Sequence, residues 1–169
     1  MIRKQKTPEQ ALFQLTALCS QGEHCLDEMQ TKLQRWGIVG NEQQRILDYL
    51  VDEGYVSHER FCRAFIHDKM EYNGWGRRRI EMALWQKRIP RNVSDPVFAE
   101  IDTSRWVERL RPLLASRRRT MKADSEYEMN RKLTRFALSR GFSFEEIRLC
   151  SVECDESEYD DYDTDHDVD

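Results

Sequence analysis

The chain has 169 residues, of which 34% are charged and 39% hydrophobic, and it carries a net charge of −4. A composition so rich in charge excludes a thick single core and suits a short row of amphipathic helices sharing thin interfaces. No apolar run approaches the ~18 residues of a membrane span, so no membrane partner is expected.

Apolar residues recur with a period near 3.6 and rarely alternate, which predicts an all-α chain. The first helix carries Leu12, Leu15, Leu18 and Cys19 on one face and opens at Thr7-Pro8-Glu9-Gln10, a capping sequence with proline in the first turn. The second carries Leu26, Met29, Leu33 and Trp36, and the third Ile46, Leu47, Leu50 and Val51. Gly22, Gly37 and Gly54 follow these three, as left-handed helix ends favour. Ser57 caps a fourth helix through Phe61, Ala64 and Phe65. A fifth, with Ile80, Ala83 and Leu84, follows Gly74-Trp75-Gly76, and Asp95-Pro96 is expected to open a sixth with Val97, Phe98 and Ile101. The seventh holds Trp106, Val107, Leu110, Leu113 and Leu114, and Pro112 is expected to kink or split it. The eighth, with Tyr127, Leu133, Phe136 and Ala137, stops at Gly141, and Ser143-Phe144-Glu145-Glu146 caps a short ninth containing Ile147.

These nine helices repeat. A helix ends at Trp36-Gly37-Ile38, another at Lys87-Arg88-Ile89 and a third at Arg140-Gly141-Phe142, spacings of 51 and 53 residues. Three tandem three-helix units of about fifty residues account for the chain, at 1–56, 57–102 and 103–152, and stacking of such units predicts an elongated, curved molecule. Residues 153–169 hold ten acids and no Lys or Arg and are expected to form a disordered acidic tail.

Without that tail, 27 bases stand against 21 acids, and residues 60–140 alone hold 20 bases and 10 acids. A basic body with an acidic tail attracts phosphates or an acidic protein surface, and the tail either shields the basic face or keeps the protein soluble. The opening MIRKQKTPEQ lacks the apolar segment of a secretory signal, which predicts a cytoplasmic protein. Cys19, Cys25, Cys62, Cys150 and Cys154 are odd in number and form no CxxC pair, so they read as buried thiols rather than disulfides or zinc ligands.

Chemistry is sparse. There is no GxxxxGK[ST] phosphate loop, and none of the four histidines sits in an HExxH or HxH frame. The acidic run Asp160, Asp161, Asp163, Asp165 and Asp167 lacks the glycine and closing glutamate of a calcium loop. No catalytic residue, metal or cofactor is therefore expected. What the chain does offer is cations on three helices. Arg77, Arg78 and Arg79 open the fifth, Arg117, Arg118, Arg119 and Lys122 end the seventh, and Arg131, Lys132, Arg135 and Arg140 lie along the eighth, with Lys87 closing the fifth. Cations spread in this way neutralise phosphates without reading sequence. Among the aromatic residues nearby, Tyr72, Trp85 and Tyr127 are expected in helix interfaces, whereas the glycines flanking Trp75 hold it in a turn.

Three ordered segments resemble the RecX regulatory family. Gly54-Tyr55-Val56-Ser57-His58-Glu59-Arg60-Phe61-Cys62-Arg63-Ala64-Phe65 is similar to that family's G-[FY]-[IV]-x-D-x-R-F-A-x-x-[FY] segment, and residues 74–89, from Gly74, Trp75 and Gly76 through Ile80 and Leu84, to G-[YF]-G-x-x-R-I-x-x-x-L-x-x-K-G-I. Lys132-Leu133-Thr134-Arg135-Phe136-Ala137-Leu138-Ser139-Arg140-Gly141-Phe142-Ser143 resembles L-x-R-[FY]-L-x-x-R-G-[FY]-S. The resemblance spans about residues 10–150 and implies three three-helix units. It also implies a monomeric, non-enzymatic modulator of the RecA recombinase that lies in the groove of the RecA–single-stranded DNA filament and blocks ATP hydrolysis, filament extension and strand exchange. Such a protein tunes recombination, DNA repair and the SOS response, and binds single-stranded DNA weakly and without sequence preference. Two departures stand out. His58-Glu59 replaces the first segment's acidic residue, and Arg88 stands where the second segment has its last glycine, so that helix is expected to end differently, with Pro90 as its stop. The rival reading is a stand-alone helical nucleic-acid-binding protein such as a transcriptional repressor, which needs a recognition helix and usually a symmetric dimer.

Overall fold

A computed structural model describes residues 5–163, the last four of them by backbone alone. Among these residues there are nine α-helices and no strand. They are α1 Pro8–Gln21, α2 Leu26–Arg35, α3 Gly40–Asp52, α4 His58–Glu71, α5 Arg77–Gln86, α6 Arg91–Ala99, α7 Thr103–Thr120, α8 Glu126–Ser139 and α9 Phe144–Leu149, followed by a 3₁₀ segment Glu156–Asp163. The helices group into two compact units. The first runs to Asp68 and takes up Glu81–Glu100, and the second holds Lys69–Ile80 and the chain from Ile101 onward, so two boundaries fall within α4 and α5 and the third between α6 and α7.

The repeat is visible residue by residue. Met29, Ile80 and Leu133 lie 51 and 53 residues apart and are buried to 0%, 0% and 1% exposure. The third helix of each three-helix repeat starts at Gly40, Arg91 and Phe144, with the same two spacings. The helix before it ends each time in one pattern: Ile38 N–H donates to the Leu33 carbonyl, Ile89 to Leu84 and Phe142 to Ala137. In that pattern the residue before the apolar anchor closes the helix in the left-handed region. Gly37 has φ 81° and Gly141 φ 96°, as glycine allows, but Arg88 adopts φ 58°. The expectation that Arg88 ends its helix differently is therefore corrected. Burial of Ile89 and the repeated hydrogen bonds hold a non-glycine residue in a conformation that costs it about 1 kcal/mol.

Three further expectations change. Gly22 is extended, with φ 178°, so it does not end α1 in the left-handed region. The sixth helix starts at Arg91 behind Pro90, not at Asp95-Pro96. Pro96 sits inside it, and the carbonyl deprived of a partner, that of Asn92, belongs to an exposed residue that water can satisfy. Pro112 likewise lies within an unbroken α7, because buried Trp106, Val107, Leu110 and Leu114 anchor the helix on both sides of it. Both capping boxes form: Thr7 with Gln10, and Ser143 with Glu146. Glu146 is buried, which pushes its carboxyl up despite the hydrogen bonds from the Ser143 backbone and hydroxyl.

In the first unit Ala11, Leu15, Met29, Leu33, Ile38, Ile46, Leu47, Leu50 and Val56 form one apolar cluster. The expected disordered tail is described only in part. Residues 164–169 lie outside the described residues, as do the side chains of Asp160, Asp161 and Asp163 on which the calcium question turned. The earlier acids are placed, and Tyr159 is buried to 6% against Phe144, ring centroids 5.7 Å apart. No described helix is long and apolar enough to cross a membrane.

Candidate functional site

The turn before α5 is built from two glycines that meet across the second unit. A Cβ on Gly76 would lie 2.4 Å from the backbone of Gly141 and Phe142, and one on Gly141 would lie 2.5 Å from the Arg79 nitrogen. Only glycine permits that approach. It lets the end of α8 cap the start of α5: Gly76 N–H donates to the Arg140 carbonyl at 2.7 Å and Arg78 N–H to the Gly141 carbonyl at 3.1 Å. The spent end of one helix dipole thus meets the positive end of another. Gly74, at φ 64°, fits close over Leu113, and Trp75 N–H donates to the Lys69 carbonyl.

This turn organises a row of cations and rings. Trp75 has two cations over its rings, Lys69 with its Nζ 4.7 Å from a ring centroid and Arg79 with its guanidinium carbon 4.4 Å away. Burial, then the like charge of Arg140, holds the Arg79 pKa below its ordinary value. Arg140 and Arg117 flank Phe136 at 5.3 and 5.1 Å, and Arg140 also donates to the Asn73 carbonyl at 3.1 Å. A guanidinium over a ring engages its face, which keeps its in-plane N–H donors suited to phosphate or carboxylate.

Arg77 and Arg78 are exposed at the first turn of α5, which contains no acid. Cations there oppose the helix dipole, each by roughly 0.3–1 kcal/mol. The arginines ending α7 sit where their own helix dipole favours them, while those opening α5 sit beside the carbonyl end of α8. Arg118 pairs with Glu126 and Lys132 with Glu128, while Arg119, Lys122 and Arg135 are exposed. Arg131 lies over Tyr127 at 5.8 Å. Lys87 belongs to the first unit and is not part of this row. Its Nζ pairs with Glu28 at 3.0 Å, and Glu28 also takes a 2.8 Å hydrogen bond from His24. Burial alone raises the Glu28 carboxyl, but the Lys87 and His24 hydrogen bonds outweigh it and the pKa falls.

The remaining motif residues serve the framework. Arg60 donates to the Gly54 carbonyl at 2.7 Å and pairs with Glu23, Phe61 is 4% exposed, and Leu84 is 1% exposed. The aromatic expectations are partly reversed: Tyr72, Trp85 and Tyr127 are 81%, 73% and 60% exposed rather than interfacial. Sequence reasoning also passed over Arg148, which pairs with Glu156, and Lys69 beside Trp75. The Lys69 pairing needed the turn geometry to be visible.

Fold and site together define an all-α protein of tandem three-helix units with cations stacked on aromatic rings in its second unit. A family model described as "RecX, second three-helix domain" matches residues 57–95, and one described as "RecX, third three-helix domain" matches 104–150, together just over half of the chain. The chain belongs to the RecX family of regulatory proteins. "Regulatory protein RecX" of Chlorobium limicola is 28% identical over 131 residues, covering 78% of this chain and 80% of the relative. The protein of the same name from Mycobacterium sp. strain KMS is 30% identical over 120 residues, 69% of this chain and 66% of the relative. Among solved structures, RecX from Lactobacillus salivarius shares the fold with a TM-score of 0.75 at 18% identity, covering 85% of this chain and 94% of that one. A second structure of regulatory protein RecX aligns with a TM-score of 0.78 at 16% identity, covering 86% and 73%.

Proposed function

We propose that the protein is a monomeric, non-catalytic, cytoplasmic modulator of the RecA recombinase. It binds the RecA–single-stranded DNA filament and inhibits ATP hydrolysis, filament extension and strand exchange. Its three units follow the boundaries 1–56, 57–102 and 103–152, and Arg77, Arg78, Arg79, Arg117, Arg135 and Arg140 supply the contact surface. One observation supports the reading beyond family membership: Arg79 is stacked on Trp75, and Arg117 and Arg140 on Phe136, in one row of guanidiniums and rings. A guanidinium stacked on a ring keeps in-plane N–H donors suited to phosphate or carboxylate, which an anionic polymer or an acidic protein surface offers.

The test is single-stranded-DNA-dependent ATP hydrolysis by the cognate recombinase, titrated with this protein. Inhibition is expected well below one molecule per recombinase, because a filament groove is blocked by few binders. No effect at stoichiometric excess, with the recombinase active, overturns the proposal. Sequence-preferring duplex binding in the same preparation would then favour a repressor.

A further inference from the structure

The acidic segment after α9 lies against cations of α8 and α9. The Glu158 carboxylate accepts a 2.7 Å hydrogen bond from the Tyr127 hydroxyl and stands 3.6 Å from Arg131 Nε. Glu156 pairs with Arg148, and buried Tyr159 fixes the segment against Phe144. The fit is incomplete. Arg131 Nε is buried without a hydrogen-bond partner, since 3.6 Å is an electrostatic approach rather than a hydrogen bond. Asp155 is turned to its own neighbour Ser157, whose backbone N–H and hydroxyl both donate to it.

We propose that this face of α8 and α9, with Tyr127, Arg131 and Arg148, is a binding surface for single-stranded nucleic acid, held closed by the chain's own residues 156–159. The occupant on display shows the chemistry the face accepts: carboxylates on an acidic 3₁₀ turn, with one aromatic anchor. A nucleic-acid strand offers the same chemistry in better form. Its phosphate oxygens supply the acceptor Arg131 Nε lacks, and an unpaired base stacks on exposed Tyr127 beside the Arg131 guanidinium. A duplex hides its base faces and lacks that second contact. The inference rests on the nucleic-acid arm of the proposed function and does not require the recombinase. Docking the segment ten times more often than not lowers the apparent affinity about tenfold.

Three full-length variants test it by fluorescence anisotropy on labelled oligo-dT and on a duplex of equal length, at low and moderate salt. Glu156→Gln with Glu158→Gln removes two docking charges, and Asp167→Asn with Asp169→Asn makes the same charge change at the chain end. Tyr159→Ala undocks the segment at constant charge, and its melting temperature is recorded alongside. Expected is an affinity gain for oligo-dT of about tenfold in the first and third variants, smaller for the duplex and small in the second variant. Equal gains in both glutamine and asparagine variants, with none in Tyr159→Ala, overturn docking in favour of bulk charge. No binding by any variant at low salt overturns the surface itself, and the recombinase assay then tells separately whether the filament reading survives.

Discussion

The two units handle positive charge differently. In the first, cations are matched with carboxylates: Lys87 with Glu28, Arg60 with Glu23, Arg63 with Glu100, Arg45 with Glu42 and Arg88 with Asp27. Where the first unit sets lysines over rings, Lys6 over Trp36 and Lys87 near Phe61 and Phe65, the second, besides matched pairs such as Arg105 and Arg109 sharing Glu71, sets the arginines Arg79, Arg117, Arg131 and Arg140 over rings. A matched cation has given donors to an internal acid, whereas a stacked guanidinium keeps in-plane donors for an external one, even where, as at Arg131 and Arg140, it also faces Glu158 or the Asn73 carbonyl. Substitutions in the first unit should therefore leave partner binding alone and change stability only where the pair is half-buried, and substitutions along the stacked row should act on partner binding.

The sharpest way to break the contrast is Gly141→Ala. The added Cβ meets Arg79 backbone at 2.5 Å from a residue at φ 96°, so a loss of roughly 3 kcal/mol or more is expected by denaturant unfolding, together with collapse of the cation row. Unchanged stability would mean the two glycine turns do not hold the site. In the first unit, Glu28→Gln should cost about 1 kcal/mol at neutral pH and leave recombinase inhibition intact. Because the folded Glu28 pKa lies below its ordinary 4.5, its stabilisation is present above that value and is lost as the pH falls through the folded pKa. The gap in melting temperature between parent and variant should thus narrow as the pH is taken down below the ordinary carboxylate range, and a gap independent of pH would contradict the assignment. Arg88→Gly relieves a left-handed arginine and should gain about 1 kcal/mol, less the extra chain freedom of glycine when unfolded. A loss would show that Arg88 contributes through more than its backbone. The smallest effect belongs to Arg63→Ala, where an exposed pair with Glu100 is removed and no measurable shift in melting temperature is expected.

Much of the fold was legible because the determinants are local. Capping boxes at Thr7 and Ser143 and the apolar anchors Ile38, Ile89 and Phe142 are carried by neighbours a few residues apart. Arg88 misled because the left-handed end is imposed by the burial of Ile89 and the hydrogen bond to Leu84, not by the residue's own preference. At Asp95-Pro96 a strong local start signal lost to Pro90, whose carbonyl accepts from Val93 and Ser94. The exposure of Trp85 was readable: five residues past buried Ile80, it lies about 140° around the helix from the packed face. The cation row was not, since it needs α5, α7 and α8 brought together by a Gly76–Gly141 contact 65 residues apart in sequence.

The most direct test compares the parent with Arg77→Glu/Arg78→Glu/Arg79→Glu in two measurements on one preparation: inhibition of recombinase ATP hydrolysis and thermal unfolding. The variant loses the Arg79–Trp75 contact and sets acids beside the carbonyl end of α8, so it should unfold cooperatively at a somewhat lower temperature than the parent, while its inhibition falls at least tenfold. Full inhibition by a stably folded variant would contradict the claim that these arginines are held for an anionic partner.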